Sequence, residues 1–156
     1  MKILNFTIQK QEQSEWCWAA VSASIRGFYS PGNSLGQCEV VNLMLMVQNC
    51  CDNPTSFNRR FNLANTLKQL NHLQEDDPGK PEFGRVVTEI NAGQPLAVKI
   101  RWDGGANHFV VVHGFTDDGK VHIADPMSPG DDMIVTFDNF VYKDIGHWDE
   151  SFFTQS

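Results

Sequence analysis

The pattern of apolar and polar positions divides the chain into a helical first half and a strand-rich second half. Between residues 16 and 29 apolar residues recur at helical spacing, and the Ser-Pro-Gly-Asn stretch at 30–33 ends this helix. A second helix, capped by Ser34, carries a nearly continuous apolar run over residues 40–47, so we expect it to be buried on all sides. Two further helices are predicted, over about residues 62–73 and over residues 83–91, the latter ending before Gly93.

After residue 95 the chain consists of short β-branched or aromatic runs separated by Gly and Asp turns. Such runs predict strands, and the turn at 117–119 predicts a tight hairpin. Because helices come first and strands follow, the pattern favours an α+β fold with segregated layers and an antiparallel sheet. The predicted strands cover residues 95–102, 108–115, 120–124, 133–137 and 147–154, with a brief strand or extended arm at residues 4–8.

The strongest turn signal is the polar cluster Gln-Glu-Asp-Asp-Pro-Gly-Lys-Pro at residues 74–81. We interpret it as the boundary between a helical lobe, about 1–75, and a β lobe, about 80–156. A length of 156 residues suits one domain, so both lobes are expected to belong to a single domain spanning 1–156.

Charge and hydropathy exclude several classes of partner. Twelve basic and nineteen acidic residues give a net charge of −7 without a basic patch, so neither nucleic acid nor an anionic membrane surface is expected as a partner. No run approaches the ~20 apolar residues of a membrane-spanning helix, and the first residues lack the apolar run of a signal peptide. We therefore expect a cytosolic protein, one exported by a dedicated system or delivered into a target cell, or a domain of a longer protein. The oligomeric state is left open, with a monomer as one option.

Four cysteines occur, at positions 17, 38, 50 and 51. They are too few for a disulfide scaffold, and no Cys-x-x-Cys pair is present. Cys38 can pair with either Cys50 or Cys51, while a bond between the two adjacent cysteines would be strained. The alternative is that all three are free buried thiols.

Cys17 is the candidate nucleophile. It lies between two tryptophans at the point where a polar stretch changes into the first helix, and the amino end of a helix stabilises a thiolate. Gln11 lies six positions upstream, and its side-chain amide could donate a hydrogen bond to an oxyanion. Trp18 and Trp102 are candidates for walls of the site, although core packing is the safer interpretation of each.

A nucleophilic cysteine needs a base, and His108 has the best context among the five histidines. It opens the strongest predicted strand, directly after a Gly-Gly-Ala-Asn turn, where a side chain is both reachable and held in place. The two-residue period of a strand points His113 to the opposite face, so we expect His113 to be a hydrogen-bonded structural residue.

Asp125 is the candidate orienting residue for the imidazole. The hairpin turn at 117–119 brings the end of one strand beside the start of the other, which places Asp125 alongside His108. A zinc site formed by His108, His113, His122 and Cys17 is not expected, because no close pair of these ligands shares a face. No metal or other cofactor is therefore predicted.

Together these residues resemble the papain-like cysteine peptidases over about residues 11–140. The Trp-Cys-Trp-Ala-Ala block at 16–20 is similar to that of the avirulence-type effector proteases of plant pathogens. The His-Phe-Val-Val-Val run at 108–112 and the Asp-Pro pair at 125–126 are similar to those of the double-glycine peptidases that cleave bacteriocin leaders.

The resemblance implies a papain-like fold and a peptidase that acts on a peptide or protein substrate, in a bacterial secreted effector or toxin domain. It implies that Cys17 is the nucleophile, that His108 is the general base and later the acid, and that Asp125 orients the imidazole. Gln11 and the Cys17 backbone N–H would form the oxyanion hole. Glu15-Trp16 replaces the small Gly-Ser pair of papain, and Asp replaces its Asn as third member, so the shape of the cleft is expected to differ.

Two other functions fit the same residues. A papain-fold glutamine deamidase or transamidase would use the same nucleophile and base on a different acyl donor or acceptor. A non-catalytic module would bind a peptide in what was the active-site cleft of an ancestral enzyme. Such a module has normally lost the nucleophile or the base, and residues of both types are present here.

Overall fold

One antiparallel sheet of seven strands organises the fold, and the computed structural model describes all residues, 1–156. Six strands follow the order β2-β7-β3-β4-β5-β6, and the short β1 pairs with the far end of β4. The strands are β1 (Lys2–Ile3), β2 (Leu73–Pro78), β3 (Leu96–Trp102), β4 (Asn107–Phe115), β5 (Lys120–Ala124), β6 (Met133–Thr136) and β7 (Gly146–Thr154).

Four α-helices complete the α+β architecture. They are α1 (Cys17–Tyr29), α2 (Gln37–Leu45), α3 (Leu63–Gln69) and α4 (Phe83–Asn91), with 3-10 turns at Pro31–Asn33 and Pro54–Phe57. Helix α1 packs against β4 as well as against α2 and α3, and residues 18–25 are all buried. The central strands are buried at consecutive positions, such as 96–98 and 110–112, and share one apolar core with the inner face of α1. No helix is long and apolar enough to span a membrane.

The prediction that the second helix is buried on all sides is wrong. Only Gln37, Val40 and Val41 of α2 are buried, whereas Leu43 is 44% exposed. The helix packs mainly against α1, so only one stripe of its surface is covered. The proposed cap at Ser34 is also wrong, because the helix follows Gly36, whose N–H donates to Oε1 of Glu39 at 3.0 Å.

The turn cluster at 74–81 also needs correction, because most of it is a strand. Residues Leu73–Pro78 form β2, an edge strand that pairs antiparallel with β7. Its side chains are mostly exposed, and Pro78 stands at its end, as an edge strand tolerates. The polar composition thus reflects an exposed sheet edge, and the sheet begins before the boundary that the sequence suggested.

The hairpin of β4 and β5 confirms the predicted turn and determines the geometry of the site. Phe115 pairs with Val121, and Val111 pairs with Ala124, with an irregularity in register beside His113. This register returns the end of β5 to the first half of β4. The same end of the sheet faces the amino terminus of α1 across a cleft.

Candidate active site

Cys17 is the first residue of α1, and its thiol is free and partly exposed. The polar residues before it form an irregular segment, and the run of Ala and small residues after it continues as helix. The backbone N–H of Cys17 has no acceptor within the protein, as is usual in the first turn of a helix. The helix amino end therefore presents both a thiol and a free N–H donor to the cleft.

His108 and Asp125 are in direct contact, as the hairpin argument predicted. Nε2 of His108 lies 2.7 Å from Oδ1 of Asp125, and both side chains are at least 95% buried. Because a carboxylate only accepts hydrogen bonds, Nε2 must carry the proton. The ring also hydrogen-bonds the thiol of Cys17, so Nδ1 is the nitrogen that remains for the sulfur.

Burial and hydrogen bonding act in opposite directions on the pKa values of this pair. Burial by itself lowers the pKa of His108, but hydrogen bonds to Asp125 and Cys17, together with their charges, raise it to about 9. Burial raises the pKa of Asp125, but the hydrogen bonds from His108, Tyr142 and the Met127 N–H hold it well below its usual range. The pair is therefore held as imidazolium and carboxylate at neutral pH.

Sequence reasoning missed two side chains that contact Asp125. The hydroxyl of Tyr142 donates to Oδ2 at 2.6 Å, and Nζ of Lys143 lies 3.3 Å from the same oxygen. Burial and the hydrogen bond to Asp125 raise the pKa of Tyr142 far above its ordinary value. Both residues precede β7 in an irregular segment, where no periodic pattern could have indicated which way they point.

Trp102 covers the imidazole of His108. Its ring is stacked on His108 at 6.1 Å between ring centroids, and on Tyr142 at 6.0 Å. Trp18 is almost fully buried and also borders the cleft, so each tryptophan both packs in the fold and lines the site. A ring over the His108 imidazole restricts the access of water to its bond with Asp125.

Gln11 borders the cleft beside Cys17, but its amide is engaged elsewhere. Nε2 donates to the carbonyl oxygens of Gln13 at 3.1 Å and Ser14 at 3.0 Å, while Oε1 is buried without a partner. The two amide hydrogens thus hold the segment that leads into α1. Donation to an oxyanion requires Gln11 to release one of these two carbonyls.

The cleft between the helix end and the sheet has a volume of about 340 Å³. One of its walls belongs to residues 57–62, of which Arg60, Phe61 and Asn62 line the cleft, and side chains attach this stretch to the segment around Cys17. The indole N–H groups of Trp16 and Trp18 donate to the carbonyls of Phe57 and Arg59, each at 2.9 Å. Besides Trp18, the residues that line the cleft are Gln11, Ser14, Glu15, Cys17, Arg60, Phe61, Asn62, Leu63, Lys99, Trp102, Asn107, His108, Phe109, Met127, Glu150 and Phe152.

The remaining cysteines and histidines lie outside the cleft. Cys38 and Cys51 form a disulfide, which decides between the two pairings left open by the sequence, and Cys50 is a buried free thiol. Nδ1 of His113 lies 3.4 Å from the carbonyl oxygen of Leu4, in keeping with the structural role predicted for it. No cluster of three or more His, Cys, Asp or Glu side chains could hold a metal ion.

Comparison with known proteins confirms the predicted resemblance and fold. Residues 2–144 match the family model described as papain-like cysteine protease AvrRpt2. The peptidase domain of Streptococcus ComA, a bi-functional ABC transporter involved in a quorum sensing pathway, has a similar structure, with a TM-score of 0.60 and 15% sequence identity. That alignment covers 97% of this chain and 100% of the ComA domain. A search of curated proteins found no match. Since the family model spans nearly the whole chain, the protein belongs to the AvrRpt2 family of papain-like cysteine proteases.

Proposed function

We propose that this protease hydrolyses peptide bonds through a triad of Cys17, His108 and Asp125 and a thioester acyl-enzyme. The observation that carries the proposal is the 2.7 Å contact between Nε2 of His108 and Oδ1 of Asp125. It leaves only Nδ1 of the ring to exchange a proton with the thiol of Cys17. Nucleophile, base and orienting group thus follow one another in the order that acyl transfer requires.

In the first half of the reaction the thiolate of Cys17 attacks the carbonyl carbon of the scissile bond. A carbon–sulfur bond forms, and the carbonyl π electrons move onto the oxygen. Nδ1 of His108 then gives its proton to the leaving amine as the carbon–nitrogen bond breaks, and a thioester remains. A His108 pKa of about 9 keeps the ring protonated for this step at neutral pH.

In the second half, water attacks the thioester carbon while Nδ1 of His108 accepts its proton. The carbon–sulfur bond breaks, the carboxylic acid leaves and the thiolate–imidazolium pair is restored. Asp125 keeps its negative charge throughout and stabilises the imidazolium.

The free N–H of Cys17 is one donor that this proposal assigns to the oxyanion. The role of Gln11 as a second donor stays a prediction. Gln11 lines the same cleft as Cys17, and exchange of the Ser14 carbonyl for the oxyanion would free one N–H of its amide.

Alkylation with iodoacetamide in the absence of reductant tests the triad. Cys38 and Cys51 are paired and Cys50 is buried, so only Cys17 should react rapidly at neutral pH. His108→Ala should slow this alkylation by about 100-fold or more, because the thiolate loses its imidazolium partner. The matched control His113→Ala should react at the wild-type rate. Slow alkylation of the wild type, or an equal rate in His108→Ala, would overturn the proposal.

Peptide-library cleavage with Cys17→Ala as the inactive control then separates hydrolysis from the other reactions of this fold. New peptide termini are expected from a peptidase. A mass increase of about one dalton at glutamine, without new termini, would identify a deamidase using the same residues.

We also propose that the chain acts as a bacterial secreted effector or toxin domain. Membership of the AvrRpt2 family supports this role, which depends on the host protein that is cleaved. Termini that appear in the proteome of target cells with the wild-type protein, and not with Cys17→Ala, would identify that protein. If no such termini form although the purified enzyme cleaves peptides, the effector role is wrong.

A further inference from the structure

The carboxylate of Asp125 accepts hydrogen bonds at both oxygens. Oδ1 accepts from Nε2 of His108 at 2.7 Å and from the Met127 N–H at 2.8 Å. Oδ2 accepts from the hydroxyl of Tyr142 at 2.6 Å and lies 3.3 Å from Nζ of Lys143. Only one of these four donors belongs to the proposed triad. The two on Oδ2 come from consecutive residues of one turn.

That turn has an unusual backbone. Tyr142 and Gly146 exchange two backbone hydrogen bonds of 2.8 Å, and the intervening Lys143 and Asp144 have φ angles of 49° and 67°. Residues with side chains rarely adopt this left-handed conformation, and surrounding structure must hold them in it. At Gly146 a Cβ atom would lie within 2.8 Å of atoms of Ile100, Trp102 and Tyr142, so only a glycine fits where the turn closes against β3. The constrained turn delivers a phenol and an ammonium group to the same oxygen.

We propose that Tyr142 and Lys143 are positioning residues that hold Oδ2 of Asp125, so that Oδ1 stays in line with Nε2 of His108. The inference rests on the triad proposed above. Without the two donors, the carboxylate could rotate and exchange its oxygens, and the ring could turn with it. Fixing one oxygen fixes the tautomer of His108 and leaves Nδ1 for the thiol.

The two donors have different effects on charge. The phenol is neutral, fully buried and stacked on Trp102, so it acts by geometry. The ammonium of Lys143 adds a positive charge beside Asp125 and opposes the attraction of the carboxylate for the imidazolium of His108. Lys143 thus limits how strongly His108 holds its proton.

Charged or ionisable groups from several elements lie around the His108–Asp125 pair and affect its protonation. The sulfur of Cys17 acts on His108 from α1 and favours the protonated ring. Asp131, in the loop after β5, acts on Tyr142 and helps to raise the pKa of its hydroxyl. Besides His108 itself, Lys143 is the positive side chain within 4 Å of Asp125. Its removal should therefore raise the pKa of His108.

Tyr142→Phe tests the positioning role and keeps the ring that packs on Trp102. We expect kcat to fall about ten-fold and KM to change less than two-fold, as loss of one hydrogen bond to a charged group in the site predicts. The ¹⁵N chemical shifts of neutral His108 should change from a single Nε2–H tautomer to a mixture. Tyr29→Phe is the matched control, because it removes the other tyrosine hydroxyl, which makes a 2.6 Å bond to Thr154. The control should leave kcat and the His108 tautomer unchanged.

Lys143→Met tests the charge effect. The midpoint of His108 titration, followed by NMR, and the basic limb of kcat/KM should both move to higher pH by about half a unit. Lys120→Met removes an ammonium from a surface pair with Asp118 at 3.1 Å and should move neither. A shift to lower pH, or the same shift in both variants, would refute the role of Lys143.

The NMR signals distinguish failure of this inference from failure of the triad. They report the tautomer and titration of His108 whether or not the protein cleaves peptides. If Tyr142→Phe and Lys143→Met leave both unchanged, the positioning role is wrong even in an active protease. If Tyr142→Phe does not fold, the titration of Lys143→Met still decides the charge effect. A changed tautomer in a protein whose Cys17 does not react would instead refute the triad alone.

Discussion

The two sides of the cleft differ in what holds them in place. On the base side, which comprises β4, β5 and the 142–146 turn, backbone ladders hold the strands: His108 pairs with Ile100 of β3, and Asp125 directly follows Ala124, which pairs with Val111 of β4. On the thiol side, which comprises the start of α1, residues 57–62 and the Cys38–Cys51 disulfide, there is no ladder. There the wall depends on individual side chains, such as the indole N–H of Trp16 on the carbonyl of Phe57.

This difference predicts that the base side controls the reaction rate and that the thiol side controls stability and substrate binding. A ladder positions each side chain through many backbone bonds, so single substitutions on the base side should change the reaction more than the shape of the cleft. The thiol side relies on a few side-chain bonds, so single substitutions there should change stability and the wall that contacts substrate. Residues 57–60 are bonded to the segment around Cys17 at several points, including the 2.8 Å bond from the Glu15 N–H to Asn58.

The largest effect is expected from Asp125→Ala on the base side. It removes the acceptor of His108 and Tyr142, so kcat should fall about 1,000-fold, with a smaller change in KM. Steady-state kinetics on the folded fraction measures this. Asp132→Ala is the control, because Asp132 pairs with His122 at 2.9 Å outside the cleft and should leave kcat unchanged. A loss of kcat below ten-fold would contradict the comparison, since the residues held by the base-side strands would then not control the reaction rate.

The second-largest effect is the pH dependence of the free energy of unfolding, which results from His108 on the base side. The folded-state pKa of His108, about 9, lies above the ordinary value of about 6.5. The corresponding stability is fully present below pH ~6.5 and is lost as pH rises through ~9, to a total of about 3 kcal/mol. Denaturant unfolding from pH 6 to 10 should show this fall in the wild type and lack it in His108→Gln. Equal slopes in the two proteins would show that the pair does not stabilise the fold.

On the thiol side, Cys38→Ser/Cys51→Ser should lower the free energy of unfolding by about 3 kcal/mol, as loss of a bridge over 13 residues predicts. Neither cysteine lines the cleft, so kcat should stay within about two-fold of the wild-type value. Cys50→Ser keeps the bridge and serves as control. If the double variant instead lost activity while remaining folded, the disulfide would belong to the reaction and the two sides would not be separable.

The smallest effect is expected from Trp16→Phe, which removes the donor to Phe57. Stability should fall by about 1–2 kcal/mol, and KM should rise several-fold with little change in kcat, because the wall at 57–62 is loosened. Trp148→Phe makes the same deletion in β7, where the indole N–H donates to Ser151 at 2.8 Å. It should lower stability without changing KM. Matching KM values for the two variants would remove the distinction between the sides.

The elements that the sequence predicted well are those with local signals. The helix at 83–91 and the strand at 120–124 have the predicted bounds. The hairpin that this strand forms with β4 brings Asp125 to His108. A turn of known position and a two-residue period are sufficient for that contact, because the hairpin turn sets the register in which the end of β5 returns along β4.

The failures occurred where neighbours distant in sequence decide the outcome. The polar run at 73–78 became an edge strand because β7 offers it backbone partners, and α2 is half exposed because only α1 covers it. Tyr142 was missed because an irregular turn, with two left-handed residues, directs it towards Asp125. The role of Gln11 as an oxyanion donor stays a prediction, and the structure adds that its amide donates to two carbonyls of its own loop.

The sequence by itself thus determined the α+β order of elements, the position of Cys17 at a helix start and the pairing of His108 with Asp125, since helix starts and hairpins follow from short-range patterns. Only the tertiary structure decided which further groups contact Asp125, which cysteines pair and how the cleft wall is attached. These contacts join residues 13 to 45 positions apart through irregular segments, as in the bond from Trp16 to Phe57 and the disulfide from Cys38 to Cys51. No periodicity constrains such segments, so their geometry follows from packing alone.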